Sequence, residues 1–229
     1  MRPVARAVIF DLDGTLVESA GEIAHALARA FESLGLAPLP KTAVEQMIGR
    51  GVRVLIERAL SRIGAQGVDL DEAVARFETH YGATVGTSAS LFPGAKEGLD
   101  LLAARGMPMA VVTNKPRYFT LQLLERLDIA RHFAAVVAGD DGHVRKPAPD
   151  MVVAAARALG VEPEEALMIG DSDNDTVAAR AAGCPVWCVR HGYTEGRPAE
   201  SLDCDRLVDT VDEAARLILS RDIPAAARS

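Results

Sequence analysis

Two carboxylates stand two positions apart in Asp11-Leu12-Asp13-Gly14-Thr15, directly after the apolar run Arg6–Phe10. In an extended chain, side chains at i and i+2 point to the same side. Unpaired, the two acids repel each other and resist burial. A hard divalent cation removes that cost, and magnesium prefers carboxylate oxygen. Gly14 permits the sharp turn that must follow. The plainer alternative is a loop in which Asp13 or Thr15 caps a helix.

Three further clusters carry related chemistry. Val111-Val112-Thr113-Asn114-Lys115-Pro116 ends a β-rich run in a hydroxyl and an amide. Placed before a helix, these are either caps or donors to an anion held at the helix N-terminus. Arg145-Lys146-Pro147-Ala148-Pro149-Asp150 holds a lysine in a stretch stiffened by two prolines. A lysine fixed there could neutralise both an anion and nearby carboxylates, although a solvated lysine is the simpler reading. Ile169-Gly170-Asp171-Ser172-Asp173-Asn174-Asp175 begins like a calcium loop, but Thr176 stands where that loop needs glycine and Ala182 where it needs glutamate. Extra magnesium ligation explains these acids better.

The elements that must position these clusters follow from periodicity. Short apolar runs predict strands at Arg6–Phe10, Met109–Thr113, Ala135–Ala138, Ala166–Ile169 and Pro185–Val189. Helical patterns alternate with them, as in Phe119, Leu123, Leu124 and Leu127 after Pro116, in Met151–Leu159 before Gly160, and in Thr176–Ala182 before Gly183. Alternation of this kind predicts an α/β fold, a Rossmann-like parallel sheet with helices on both faces. Its binding sites belong at the carboxyl ends of the strands, where all four clusters fall.

One region interrupts the alternation. From Glu18 to Leu91 no strand pattern is evident, while helical stripes run through Ile23, Leu27, Phe31 and Leu34, through Val52, Leu55, Ile56, Ala59, Leu60 and Ile63, and through Val74, Phe77 and Tyr81. We expect a small α-helical domain over 17–91, inserted into a core formed by 1–16 and 92–229. Phe92-Pro93-Gly94 reads as the turn back into the core. Gly49-Arg50-Gly51-Val52-Arg53 breaks two inserted helices and could approach the site closely. Arg50 or Arg53 could grip a substrate carboxylate there, or both could be solvated, with Lys115 or backbone amides holding that carboxylate instead. Trp187 reads as core, and His191 as a loop residue near the pocket. Ala225–Ser229 has little to bury and is expected to fray.

Composition narrows the class. The chain has 229 residues, 49% of them hydrophobic, and a net charge of −7. That charge argues against broad nucleic-acid binding, which relies on lysine and arginine. No apolar run reaches bilayer length, and the N-terminus, despite Arg2 and Arg6, lacks a signal-peptide core. A cytoplasmic protein is expected. Cys184, Cys188 and Cys204 lack a second ligand pair for zinc and read as buried free thiols.

In their order and spacing the four clusters resemble the signature of the haloacid dehalogenase superfamily: Asp-x-Asp-x-Thr, then Thr or Ser, then Lys, then Gly-Asp-x-x-x-Asp. The inserted helices are similar to that family's small cap. Phe10–Ser19, Gly49–Leu60, Val111–Pro116, Gly139-Asp140-Asp141 with Lys146-Pro147, and Val186–Tyr193 resemble its bacterial phosphoglycolate phosphatase branch. Glu18 departs from that branch, which commonly has Asp there. The resemblance implies a phosphatase in which Asp11 is the nucleophile and forms an aspartyl-phosphate, while Asp13 is general acid and then general base. It implies Mg2+ held by the Asp11 side chain, the Asp13 carbonyl and the Asp171 side chain. Thr113, Asn114 and Lys146 would face the phosphate oxygens, and Asp175 would orient Lys146 or a metal-bound water. The implied partner is a small-molecule phosphate ester, 2-phosphoglycolate foremost, acted on by a monomer or homodimer with no nucleic acid or membrane involved. Asp13 argues against dehalogenation, since halide leaves unprotonated. A sugar-phosphate phosphomutase and a phosphatase for another small ester keep all four motifs and stay open. A non-catalytic module on the same fold would have no need of both Asp11 and Asp13.

Overall fold

The computed structural model of the chain describes residues 5–221. Strand β1 (Ala7–Phe10) is buried along its whole length, as befits the middle of a parallel sheet. The chain then leaves through a two-residue strand, β2 (Val17–Glu18), and passes through four helices: α1 (Ala20–Ser33), α2 (Lys41–Glu45), α3 (Val52–Arg62) and α4 (Leu70–Thr84). It returns through β3 (Ser90–Leu91), which pairs antiparallel with β2 in the register Val17 to Leu91 and Glu18 to Ser90. The buried Glu22 carboxylate fastens this return by accepting from the N–H groups of Gly86, Thr87 and Ser88 at 2.8, 2.9 and 3.1 Å. The expected helical insertion therefore hangs from a narrow ribbon. The two short strands at the ends of that stretch were not expected: each is too brief to show a period, and only its distant partner makes it a strand.

The remainder alternates: α5 (Ala95–Ala103), β4 (Met109–Val112), α6 (Arg117–Arg126), β5 (Ala135–Val137), α7 (Asp150–Ala158), β6 (Ala166–Gly170), α8 (Asp173–Ala182), β7 (Val186–Val189), β8 (Arg206–Val208) and α9 (Val211–Arg221). The six strands run parallel in the order β5-β4-β1-β6-β7-β8. Side chains alternate between the faces. Val8 and Phe10 join one apolar cluster with α5, α9 and the inserted helices, while Ile9 joins another with Met151, Val152 and Ala155 of α7 and Ala178 of α8.

Predicted strands agree to within a residue at their ends, and β8 is an addition. Arg206-Leu207-Val208 is a short edge strand with no apolar run to announce it. Helix α8 starts three residues earlier than expected. Ser172 and Asp175 form a reciprocal capping box, so Asp173, Asn174 and Asp175 are its first turn rather than a free loop. Trp187 is core, as expected. Cys184 and Cys188 are buried free thiols, whereas Cys204 is partly exposed. Arg2 and Ala225–Ser229 lie outside the described residues.

Candidate active site

Four chain crossings meet at one sheet edge, and a lysine ties them together. Asp11 follows β1, Thr113 follows β4, Asp171 follows β6, and Lys146 arrives on the loop between β5 and α7. The Lys146 ammonium donates to Asp11 Oδ1 at 2.7 Å, to Asp175 Oδ1 at 2.6 Å and to the Val112 carbonyl at 2.9 Å. All three of its protons are thereby engaged. Asp175 is fully buried, and its Oδ2 accepts from the N–H groups of Asp171 and Ser172 and from the Ser172 hydroxyl. Both Asp175 oxygens are occupied within the protein, so this residue orients Lys146. Close approach of α8 to the strand requires glycine at position 170, where a Cβ would lie 2.4 Å from that of Asp175.

Asp171 is held from two sides. The Thr15 hydroxyl donates to Oδ1 at 2.9 Å, and the Tyr193 N–H donates to Oδ2 at 2.6 Å. Gly14 turns at φ +95, and a Cβ there would stand 2.3 Å from Asp171 Oδ2. Carboxylate oxygens of Asp11, Asp171 and Asp175 lie within 4.8 Å of one another, all buried, with a single lysine among them. Burial pushes the Asp11 carboxyl up to about 7, against the pull of Lys146 and with the Asp175 charge adding to the rise. Burial, followed by Asp175 and Asp11, raises Asp171 well above the usual carboxylate range. Excess negative charge on hard oxygen donors is what a divalent cation such as magnesium or calcium satisfies.

Asp13 finds its partners outside this cluster. Its two oxygens accept from Lys115 Nζ at 2.9 and 2.8 Å, and Oδ1 also accepts from the Ser19 hydroxyl at 2.6 Å. The two acids of the first motif thus sit in unlike surroundings, the situation that separates acid and base roles. Thr113 is buried, and its hydroxyl accepts from the Lys115 N–H at 3.2 Å. The Asn114 amide nitrogen donates to the carbonyls of Gly49 at 2.9 Å and Lys146 at 2.8 Å. Both protons are spent joining the inserted loop to the core, so the side chain braces the two parts.

A cavity of about 50 Å³ lies between the sheet edge and the inserted helices. Asp11, Asp13, Thr113, Asn114 and Lys115 line its core side, and Ile23, Ile48, Leu55, Phe77 and Tyr81 the other. Arg50 and Arg53 do not line it, contrary to expectation. Arg50 pairs with Glu195 at 3.2 Å, and Arg53 with Asp71 at 2.6 Å and Glu57 at 3.8 Å. The glycines around them do approach the core, since a Cβ at Gly51 would meet the Asn114 carbonyl at 3.2 Å. In a loop this tight the backbone faces inward and the long side chains turn out to solvent. His191 is a fastener rather than a lining residue: its ring nitrogens lie 3.3 Å from the Asp209 carbonyl and 3.2 Å from that of Thr15, and the ring packs on Phe92.

The sequence pattern gives no role to Tyr193, Ser19 and Tyr81, and offers Lys115 as an alternative to Arg50 and Arg53 for holding a substrate carboxylate. Tyr193 links Asp171 to the start of α1, its hydroxyl accepting from the N–H groups of Ser19 and Ala20 at 3.0 Å each. Its place just beyond a predicted strand end was the available signal. For Tyr81, a helical stripe position looks like core and is core, apart from its hydroxyl.

The family profile of the Haloacid dehalogenase-like hydrolases matches residues 8–189. The chain is 41% identical to the phosphoglycolate phosphatase of Thiobacillus denitrificans over 93% of its own length and 95% of the relative's. It is 38% identical to that of Escherichia coli K12, over 91% and 90% respectively. Among solved structures, that of a predicted phosphoglycolate phosphatase from Haemophilus somnus superposes with a TM-score of 0.89 at 29% identity, covering 95% of this chain and 99% of the other. With the motif acids gathered at the sheet edge and the family profile spanning them, the chain belongs to the haloacid dehalogenase-like hydrolases.

Proposed function

We propose that this protein is a magnesium-dependent cytoplasmic phosphatase that hydrolyses 2-phosphoglycolate to glycolate and phosphate, with residues 17–91 as the cap over the site. One observation carries the reading: a strand-end Asp11, ion-paired with Lys146 beside Asp171, has a second acid two residues on in a different environment. The names of its relatives supply the substrate.

In the first half-reaction an Asp11 carboxylate oxygen attacks phosphorus as the ester P–O bond breaks, and Asp13 passes a proton to the leaving alkoxide. In the second, Asp13 takes a proton from water, the water oxygen attacks phosphorus, and the bond to Asp11 breaks. Lys146 keeps the attacking carboxylate aligned and offers positive charge to the non-bridging oxygens, to which the Thr113 hydroxyl donates a hydrogen bond. Asp11, Asp171 and the Asp13 carbonyl would hold magnesium, which when bound supplies further positive charge to those oxygens. The apolar cap wall excludes water and limits the alcohol portion to a few atoms.

The test is turnover of a panel of small phosphate esters with magnesium. 2-Phosphoglycolate is expected to give the highest kcat/KM. Equal turnover of longer sugar phosphates would refute the substrate, and no phosphate release from any ester would refute the class.

A further inference from the structure

A substrate bearing a carboxylate as well as a phosphate presents a second negative charge to a mostly apolar cavity. Something in that cavity must answer it. Of the residues lining it, Lys115 is the one cation, and its ammonium is buried between Asp13 and the ring of Tyr81, 4.9 Å from the ring centroid. It donates to the two oxygens of one carboxylate and lies beside the Tyr81 hydroxyl, and an ammonium has three protons to donate.

Tyr81 supplies a second observation. It is 1% exposed and lines the same cavity with its hydroxyl beside the Lys115 ammonium, yet that hydroxyl finds no acceptor for its own proton among the described residues. A buried phenol normally finds a partner, because leaving one without costs free energy. Stacking on Phe77 at 5.4 Å and an edge contact with Phe119 at 5.0 Å fix the ring in place.

Resting on the phosphoglycolate reading above, we infer that Lys115 and Tyr81 together bind the substrate's carboxylate, the ammonium giving charge and the phenol a neutral O–H donor. The pair spans the two parts of the molecule. Tyr81 belongs to α4 of the insertion, and Lys115 to the core loop after β4. The carboxylate site is therefore complete only when the insertion lies against the core, so that a substrate with this group would draw the cap shut. An ester lacking it would bind Tyr81 and Lys115 through nothing but apolar contact.

The experiment compares matched pairs differing only in the carboxylate. For turnover the pair is 2-phosphoglycolate and ethyl phosphate. For binding by calorimetry with magnesium it is 3-phosphonopropionate and propylphosphonate, whose P–C bond the enzyme cannot cleave. Wild type is expected to favour the carboxylate member of each pair. Lys115→Met should cut that preference by about ten- to a hundredfold, and Tyr81→Phe, which removes one oxygen and leaves the ring packing, by about tenfold. Because Lys115 also touches Asp13, the ratio within each pair is read and not the absolute rate. Wild type that prefers the carboxylate while both variants keep the preference would overturn this inference and leave the substrate assignment standing. Wild type with no preference would overturn both.

Discussion

The floor of the site and the loop above it hold their charges by opposite means. On the floor, Lys146 is buried and donates to two buried carboxylates and a carbonyl. In the loop, Arg50 and Arg53 keep 44% and 52% of their side-chain surface exposed and pair with acids that are themselves partly in water. Screening leaves exposed pairs worth about 0–1 kcal/mol. A buried pair contributes little net stability when whole but costs about 3–5 kcal/mol when one partner is removed. A charged residue near a site is thus consequential only if the fold has taken its alternatives away. By that measure Lys146, Lys115 and Asp175 are expected to matter more than the two arginines.

The comparison breaks most visibly at its centre. Asp11→Asn is nearly isosteric and should lower turnover by roughly a thousandfold or more while circular dichroism shows an unchanged fold. Residual activity near wild type would exclude Asp11 as nucleophile.

Removing the cation from the floor comes next. Lys146→Met should lower unfolding free energy by about 3–5 kcal/mol in denaturant titrations without metal, because Asp11 and Asp175 are left buried together. Magnesium should restore part of the loss by supplying charge to the same carboxylates. A cost below 1 kcal/mol would place Lys146 with the exposed arginines.

Metal and pH sharpen the same contrast. Asp11 is raised from 3.8 to about 7 by burial, so the metal-free folded state keeps a proton that the unfolded chain has already released. Between about pH 4 and 7 the folded state binds more protons, and metal-free stability should fall as pH rises through that window. Magnesium at a hundredfold excess over its Kd should add about 2.7 kcal/mol, roughly 5–10 °C in Tm for a chain of this size, and more at pH 7 than at pH 5. Excess chelator should silence turnover. A Tm indifferent to magnesium at every pH would show that the acids hold no metal.

The smallest effect is expected at the rim. Arg53→Ala should change stability by less than about 1 kcal/mol, and kcat/KM for 2-phosphoglycolate by less than about threefold. Arg50→Ala should behave similarly, with a slight loss from its pairing to Glu195. A tenfold loss on 2-phosphoglycolate alone would return the carboxylate to the loop.

Much of this was legible in the sequence because it is local. The Asp11–Thr15 run marks a strand end by its residue types, Gly35, Gly64 and Gly183 stop helices through positive φ, and the apolar period separates sheet from insertion. What depends on distant pairing was hidden. Two-residue β2 and β3 exist only through each other, and β8 only through its place beside β7. Helix α8 began earlier than expected because the acids that suggest a metal loop also cap a helix.

The sequence by itself determined the chemistry available: which acids follow which strand, one lysine held ahead of two prolines, and helices enough for a cap. Tertiary structure decided where each charge was used. It spent the Asn114 amide on Gly49 and Lys146, turned Arg50 and Arg53 outward, and buried Lys115 against Asp13 and Tyr81. The physical reason is that a long polar side chain near a site has several partners within reach, and spacing along the chain does not rank them. Burial ranks them, since an unpaired charge is tolerable in water and costly beneath a cap.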